Sequence, residues 1–316
     1  MFKAKIGVDG EVVCYKARLV AKGYTQIYGI DFEETHAPVT RLESIRALLA
    51  LAAHHDWEVH QIDVKTAYLY GDLDEEIYMA IPEGIEAPPG KCYQLLKALY
   101  GLKQAGRQWY LKLKEVLTQF SMRQLLSDPN TFVTHKVIEG MKKTLILPVY
   151  VDDLLPIGDK ELTDDFEASI GEYFTTTPAT DASYILGIRI LRDRPNHRIS
   201  LDQIEYAKRV MKRFLRENEQ NLAARTPLPT RSIFPNDGDQ CPPEQRRKYQ
   251  ETIGSLMYLM MGTRPDLAYA VGKLGSFTSN PSGEHLMLAK RVIAYVNHNT
   301  LGAKTKIPSG SMVSSL

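Results

Sequence analysis

Three aspartates at the ends of apolar segments are the residues of this sequence best suited to chemistry. Asp63 lies near the end of a stretch at residues 59–64 that alternates enough to be a strand, and Asp152 and Asp153 interrupt an apolar run at residues 145–155. Two adjacent charges in a buried strand are costly without a counter-ion. Converging carboxylates can hold the metal ions of a phosphoryl-transfer enzyme. Taken alone, however, the same residues are better explained by a plain hairpin turn at Asp152-Asp153 and a strand-end cap at Asp63.

The histidines and cysteines give no comparable pattern. His54, His55 and His60 have no partner cysteines, so we expect solvated or core histidines without a metal. The three cysteines are Cys14, Cys92 and Cys241. They stand far apart without a CxxC pair, which predicts plain thiols in a reduced compartment.

The elements that position the aspartates can be read from local patterns. Residues 11–20 follow a turn at Asp9-Gly10 and are predicted to be the second strand of a hairpin. Thr40 followed by Glu43 is typical of a capping box, so a helix is expected from Thr40 to about His55. A strand at residues 59–64 would then deliver Asp63 to its end.

Further helices and strands follow along the chain. Apolar residues recur at helical spacing from Trp109 to Phe120. A helix is predicted over residues 161–173, a strand over 185–190 and a helix over 202–215. The outer face of the last helix carries Lys208, Arg209, Lys212 and Arg213.

Composition limits the class of protein. The chain has 316 residues, 44% hydrophobic and 24% charged, which is ordinary globular material. Its formal net charge of +1 means that any nucleic-acid affinity must come from a local basic surface. Residues 187–231 contain eleven Lys or Arg against five Asp or Glu, so the expected surface lies there, unless this is only a solvated helical face. No apolar run reaches the roughly 18 residues of a membrane span.

Several motifs occur together in a fixed order and resemble one family. Tyr150-Val151-Asp152-Asp153 resembles the Tyr-X-Asp-Asp box of reverse transcriptases, and residues 61–68 resemble their first catalytic motif. Further matching segments are residues 16–23, 71–73, 76–79, 99–105, 186–187, 254–259 and 263–266. Together they resemble the reverse transcriptases of copia-type LTR retrotransposons, as a fragment of a Pol polyprotein.

The resemblance implies roles for individual residues. Asp63, Asp152 and Asp153, assisted by the Val64 carbonyl, would hold two Mg²⁺ ions, with Mn²⁺ as a possible substitute. The implied nucleotide-binding residues are Arg18, Lys16, Tyr68, Tyr100, Gly101 and Lys103. Among them Tyr68 would exclude a ribose 2′-hydroxyl, while ordinary packing for Tyr68 and a helix-entry turn at Tyr100-Gly101 stay open. Leu186-Gly187 would grip the primer end, and the basic residues of the 202–215 helix would contact the duplex backbone.

The resemblance also implies an α+β fold of the right-hand polymerase type. Fingers and palm with an antiparallel sheet would occupy residues 1–192, a thumb-like basic helix 193–225, and a helical connection-like segment 226–316. The chain is expected to stop before any ribonuclease H domain. Two departures from the family pattern are Gly106, where proline is usual, and Pro156, where an apolar residue is usual. Pro156 removes a donor from the return strand of the catalytic hairpin, which predicts disruption there.

The function implied is RNA- or DNA-directed DNA synthesis from a primer, with deoxynucleoside triphosphates as substrates. The expected partners are template and primer and other parts of the polyprotein, with no membrane. The location implied is cytoplasmic, in virus-like particles, with a nuclear phase, and the sequence carries no targeting signal. One alternative is an inactive nucleic-acid-binding remnant of a decayed element. Another is a host-adopted module that binds partners through residues 249–298.

Overall fold

The structure is a computed structural model that describes residues 1–6, 11–86, 88–219, 224–231, 233–236, 238–299 and 305–307. Only the backbone is described for Lys3, Lys5, Ile6, Val13, Lys16 and residues 305–307. The chain divides into two compact units, residues 1–181 and 182–316. This division precedes the predicted end of the fingers and palm at residue 192.

The first unit combines a mixed set of strands with three helices. Its strands are β1 (Phe2–Ile6), β2 (Val12–Ala17), β3 (Glu58–Asp63), β4 (Tyr78–Met79), β5 (Tyr93–Gln94), β6 (Arg123–Gln124), β7 (Thr131–Ile138), β8 (Met141–Tyr150), β9 (Asp153–Leu154), β10 (Ile157–Gly158) and β11 (Thr180–Asp181). Its helices are α1 (Leu42–His55), α2 (Ala105–Gln119) and α3 (Lys160–Ile170). The main sheet has the order β10-β3-β9-β8-β7-β6, with β11 on the other side of β3. Every pairing in it is antiparallel.

The core of this unit forms where α2 and α3 pack against the sheet. The predicted apolar stripe of α2 is confirmed, since Trp109, Leu113, Val116 and Leu117 are all buried. They join Leu147 of β8 and other buried residues in one hydrophobic cluster. Burial of an apolar helix stripe, at about 25 cal/mol per Å² removed from water, is the main force holding α2 on the sheet. β3, the strand that ends in Asp63, therefore packs against this buried hydrophobic cluster.

The start of α1 differs from the predicted capping box. The helix begins at Leu42, and its N-cap is Arg41 without a side-chain cap. Thr40 is buried, its hydroxyl lies 2.8 Å from the carbonyl oxygen of Asn130, and it accepts the Val149 N–H at 2.9 Å. The prediction was wrong because the hydroxyl satisfies buried backbone groups of the sheet instead of the helix end. The helix ends at His55, as predicted.

Pro156 lies between β9 and β10, in the interior of the sheet. The register against β3 is the same before and after it, with Ile62 opposite Leu154 and Val59 opposite Ile157. The Pro156 carbonyl accepts the His60 N–H at 3.0 Å, and only the return bond from the proline nitrogen is missing. The predicted disruption is therefore limited to one ladder bond, because neighbours on both sides hold this segment.

The hairpin predicted before residue 20 is confirmed by the antiparallel pairing of β1 with β2. Its turn at Asp9-Gly10 lies outside the described residues. Gly106 lies within the first turn of α2, where the atom nearest to an added Cβ would be 3.5 Å away.

The second unit joins a small sheet to a group of helices. Its strands are β12 (Tyr184–Ile185), β13 (Ile188–Asp193), β14 (Arg198–Asp202) and β15 (Thr305–Ile307), in this order. Its helices are α4 (Ile204–Phe214), α5 (Pro243–Gly262), α6 (Ala268–Gly275) and α7 (Gly283–Asn299). The single strand predicted at residues 185–190 is instead a hairpin that turns at Leu186-Gly187. The predicted helix at 202–215 is confirmed as α4, although Asp202 itself ends β14.

The two units confirm the mixed helical and antiparallel class predicted from the sequence. In the second unit, Val210 and Phe214 of α4 join Leu256 and Val292 in one buried cluster. The described residues include no helix that combines the length and the apolar character needed to cross a bilayer.

Candidate active site

The sheet brings the three aspartates to one place. Asp63, the last residue of β3, lies directly opposite Asp153, the first residue of β9. Asp152 immediately precedes β9, and its carbonyl accepts the Val64 N–H at 2.9 Å. All three carboxylates are partly exposed. The strand pairing therefore places two acidic positions side by side and the third one residue away.

Asp152 belongs to a tight turn that joins β8 to β9. Tyr150 pairs with Asp153, so Val151 and Asp152 form a two-residue turn. Val151 has φ of 58°, in the left-handed region that β-branched residues seldom adopt. Its carbonyl accepts a hydrogen bond of 2.6 Å from the indole Nε1 of Trp109. The hairpin-turn alternative is thus correct for the backbone, and it is compatible with an acidic site.

Two residues that the sequence analysis missed hold the aspartates. Thr177 accepts the Asp63 N–H through Oγ1 at 3.0 Å and donates its own N–H to the Asp63 carbonyl at 2.9 Å. Gln61 donates to Oδ1 of Asp153 at 3.3 Å. Gln61 is two residues before Asp63 and could have been suspected from strand alternation. No local signal points to Thr177, which is 114 residues away in sequence.

The electrostatics of the cluster follow from burial and like charges. Burial raises the pKa of the Asp153 carboxyl, the hydrogen bond from Gln61 opposes this, and the charges of Asp152 and Asp63 raise the pKa further. Carboxylate and carbonyl oxygens are the ligands that Mg²⁺ prefers. The donor set of Asp63, Asp152, Asp153 and the Val64 carbonyl therefore fits a hard divalent cation.

Two predicted nucleotide-binding tyrosines lie next to this cluster. The ring centroids of Tyr68 and Tyr100 are 4.6 Å apart. Burial raises the pKa of both hydroxyls, and the charge of Asp152 raises it further in each. Arg18 lies over the Tyr100 ring at 5.4 Å from its centroid. The structure thus gathers Arg18, Tyr68 and Tyr100 around the acidic residues, although they come from three separate segments.

Gly101 has a packing role that explains its residue type. Its φ is 98°, and an added Cβ would lie 2.1 Å from the carbonyl oxygen of Ala21. An added Cβ at Gly23 would lie 1.9 Å from the Gly101 carbonyl oxygen. The Ala21 N–H donates to the Tyr100 carbonyl at 2.7 Å. The segment that follows Arg18 therefore lies directly on the Tyr100-Gly101 turn, and no side chain fits between them.

The two predicted lysines are less clearly placed. The side chain of Lys16 lies outside the described residues, although its backbone belongs to β2. The ammonium of Lys103 lies over the Phe32 ring at 5.6 Å from its centroid. The Lys103 N–H donates to Oε1 of Gln26 at 2.8 Å. A nucleotide-binding role for either lysine stays a prediction.

In the second unit, Leu186 and Gly187 form the turn between β12 and β13. Both have positive φ, 51° and 74°, as in a type I′ hairpin turn. Tyr258 of α5 donates its hydroxyl to the Leu186 carbonyl, and an added Cβ on Gly187 would lie 2.8 Å from that hydroxyl oxygen. The predicted primer-gripping turn is therefore a two-residue hairpin turn that is hydrogen-bonded to Tyr258.

The basic face of α4 is partly neutralised. Lys208 pairs with Glu205 at 2.8 Å, and Arg213 pairs with Glu251 at 2.7 Å. Arg209 lies over the Tyr206 ring at 5.7 Å, and Lys212 is exposed on the same helix. The four predicted cations thus share one helix, but two of them already have acidic partners.

His60 lies in a second group of ligand-type side chains. Its Nδ1 is 2.5 Å from Oε1 of Glu167, and its Nε2 is 3.6 Å from carboxylate oxygens of Glu58 and Asp181. Ligand atoms of Glu58, His60 and Asp181 all lie within 4.8 Å of one another, so the group could hold a metal ion. The sequence predicted a solvated or core histidine at this position because it has no partner cysteines. Glu167 and Asp181 are distant along the chain, so no local pattern pointed to them.

Comparison with known proteins points in one direction. A family model described as reverse transcriptase (RNA-dependent DNA polymerase) matches residues 1–228. The chain is similar to the Retrovirus-related Pol polyprotein from transposon TNT 1-94 of Nicotiana tabacum, 40% identical over 308 residues, covering 95% of this chain and 23% of the relative. It is also similar to the Retrovirus-related Pol polyprotein from transposon RE1 of Arabidopsis thaliana, 35% identical over 300 residues, covering 94% of this chain and 20% of the relative. The chain thus spans a fifth to a quarter of the length of these curated relatives, and the resemblance to copia-type elements is confirmed.

Proposed function

Because this chain belongs to the reverse transcriptase (RNA-dependent DNA polymerase) family, we propose that it adds deoxynucleoside monophosphates to a primer 3′-hydroxyl, on an RNA or DNA template. The observation that carries the proposal is the pairing of Asp63 with Asp153 beside the Val151-Asp152 turn. Such a cluster is what metal-assisted phosphoryl transfer requires. The activity would be one part of the work of a transposon Pol polyprotein.

The acidic residues would hold two divalent cations. Asp63 and Asp152 are the proposed ligands of both ions, with the Val64 carbonyl assisting and Asp153 completing the cluster. Mg²⁺ fits these oxygen donors, and Mn²⁺ can replace it. When bound, the ions would neutralise charge on the attacking and leaving oxygens of the transferred phosphoryl group. Gln61 and Thr177 hold the carboxylate-bearing residues in place while substrate binds.

The neighbouring side chains would bind the incoming nucleotide. The guanidinium of Arg18 can pair with phosphate oxygens through its forked donors. Tyr68 would block a ribose 2′-hydroxyl and so favour deoxynucleotides, and Tyr100 would pack against the nucleotide. The contact between these two rings supports a joint role. Lys16 and Lys103 are proposed as secondary contacts to the triphosphate.

The second unit would hold the primer and its template. We assign the primer contact to the turn at Leu186-Gly187, whose backbone is held by the Tyr258 hydroxyl. Among the basic residues of α4, Arg209 and Lys212 are the main proposed phosphate contacts, because Lys208 and Arg213 have acidic partners. Phosphate contacts of this kind position a duplex without reading its sequence.

We propose that these regions correspond to the fingers, palm and thumb of a right-hand polymerase. Residues 1–192 would supply fingers and palm, residues 193–225 the thumb, and residues 226–316 a helical connection-like segment. Replication would take place in cytoplasmic particles with a nuclear phase, together with other parts of the polyprotein.

The test is primer extension on oligo(dT)-primed poly(rA) with dTTP and Mg²⁺. The parent is compared with Asp152→Asn, which keeps the shape of the side chain but removes its charge. Asp165→Asn is the matched control, since Asp165 is exposed and pairs with Lys136 at the surface. We expect extension by the parent and the control, and loss of at least about a hundredfold in Asp152→Asn.

The opposite result would favour a different function. If folded parent protein binds the primed template but never extends it, the chain is a nucleic-acid-binding remnant and the polymerase proposal fails. Equal extension by the parent and Asp152→Asn would place the chemistry elsewhere.

A further inference from the structure

The turn that carries Asp152 is held by a side chain from a different element. Trp109 is buried in α2, with 2% of the residue exposed, and its indole Nε1 donates to the Val151 carbonyl at 2.6 Å. An indole N–H is only a donor, and when buried it needs an acceptor. The Val151 carbonyl supplies that acceptor.

This hydrogen bond fixes more than one atom. The peptide unit between Val151 and Asp152 is planar, so orienting the Val151 carbonyl also orients the Asp152 nitrogen and Cα. Val151 has a left-handed φ of 58°, which a valine adopts only when its surroundings impose it. Loss of the indole bond would free this peptide to rotate toward an unstrained turn. The direction in which Asp152 points therefore depends on Trp109.

Trp109 also belongs to an aromatic cluster that reaches the segment after Asp63. The rings of Trp109 and Tyr70 each contact Phe174 edge to face, with centroids 5.0 Å apart. The Tyr70 hydroxyl accepts the Thr175 N–H at 2.7 Å, and the Thr175 carbonyl accepts the Lys65 N–H at 2.9 Å. The aromatic cluster is thus linked to the Val151-Asp152 turn through Trp109. It is linked to the segment after Asp63 through Tyr70 and Thr175.

We propose that Trp109 is a positioning residue, whose indole N–H sets the placement of Asp152 relative to Asp63 and thereby the cation affinity of the acidic cluster. The inference rests on the proposed function, because it takes the cluster to be a cation site. Trp109 touches neither substrate nor cation in this role. It acts only through the Val151-Asp152 peptide.

The test removes the N–H and keeps the ring. Trp109 is replaced by β-(3-benzothienyl)alanine, which has sulfur in place of the indole nitrogen and nearly the same shape. Trp109→Phe is the encoded companion variant. Trp57→Phe is the control, since Trp57 is partly exposed and stacks on His55 at 4.8 Å between centroids. Binding of Mn²⁺ is measured on the full chain without nucleotide or primer, by the electron paramagnetic resonance signal of free Mn²⁺.

We expect Mn²⁺ to bind the benzothienyl variant about two- to tenfold more weakly than the parent, the range that loss of one hydrogen bond gives. In primer extension, kcat should fall while the KM for dTTP stays nearly constant. The Trp57→Phe control should match the parent in both measurements. A purely packing role for Trp109 predicts parent-like Mn²⁺ binding in the benzothienyl variant, because its ring fills the same space.

Unchanged Mn²⁺ affinity in the folded benzothienyl variant would overturn the inference. Failure of the polymerase proposal alone would give another pair of results. The parent would bind Mn²⁺, Asp152→Asn would weaken that binding, and the parent would extend no primer. If Asp152→Asn removes none of the Mn²⁺ binding of the parent, the inference and the assigned cation site are overturned together. If Trp109→Phe does not fold, the benzothienyl variant alone decides the outcome.

Discussion

Replacing Thr177 with valine removes one hydroxyl from the support of Asp63 and leaves the shape of the side chain almost unchanged. Valine is β-branched like threonine, so the backbone preference of the segment is kept. The Thr177 N–H still donates to the Asp63 carbonyl, but the Asp63 N–H loses its acceptor. The variant therefore isolates one hydrogen bond.

The expected loss of stability depends on how deeply the hydrogen bond between Asp63 and Thr177 is buried. A fully buried donor left without an acceptor costs about 1–3 kcal/mol. Thr177 and Asp63 are only half-buried, so water can replace part of the lost bond. We expect a loss of about 1 kcal/mol in the free energy of unfolding, which corresponds to a fall in Tm of about 2–4 °C for a unit of this size.

The effect on activity should exceed the effect on stability. Asp63 would no longer be held at its nitrogen, and small displacements of catalytic groups reduce rates strongly. We expect kcat for primer extension to fall about tenfold in Thr177→Val. Thr177→Ser is the matched control, since it keeps the hydroxyl and should retain most of the parent rate. Tm is measured by circular dichroism, and kcat by extension on poly(rA) at saturating dTTP. If Thr177→Val and Thr177→Ser behave alike in both assays, the hydroxyl does not hold Asp63.

Three further predictions test other parts of the structure. Gly23→Ala should destabilise the chain by about 1–3 kcal/mol in chemical denaturation, because its Cβ would lie 1.9 Å from the Gly101 carbonyl oxygen; unchanged stability would contradict this close packing. Tyr258→Phe removes the donor to the Leu186 carbonyl, and should raise the KM for primed template several-fold while the KM for dTTP stays constant; parent-like values would show that the turn needs no support. Tyr68→Ala should increase incorporation of ribonucleotides relative to deoxynucleotides by at least about tenfold in competition assays, and an unchanged ratio would remove Tyr68 from sugar selection.

The local patterns of the sequence predicted which elements carry the aspartates, but not what holds them. Strand alternation placed Asp63 correctly at the end of β3, and the adjacent carboxylates marked the turn before β9. Thr177 and Trp109 could not be identified as supports, because their contacts join segments far apart in sequence. Trp109 was correctly predicted as a core residue of a helix, yet its indole bond depends on the tertiary position of the turn.

Two local rules gave wrong predictions for physical reasons that the structure shows. Thr40 looked like a helix cap, but buried backbone groups of Asn130 and Val149 compete for its hydroxyl. Pro156 was expected to disrupt the hairpin, since proline in an inner strand removes a ladder bond. The surrounding strands keep the register, so the loss is confined to that bond. In both cases tertiary contacts outweighed a local preference.

The position of β3 between later strands has a consequence for how this chain folds. Asp63 pairs with Asp153, and Gln61 pairs with Thr180 on the other edge of the strand. Such contacts between distant segments form slowly, because a long loop must close before they contribute stability. During synthesis, Asp63 is made well before Asp153, and Gln61 is made well before Thr180. We therefore expect the acidic cluster to be among the last parts of the first unit to become ordered, so that a nascent chain carries Asp63 before its strand neighbours are in place.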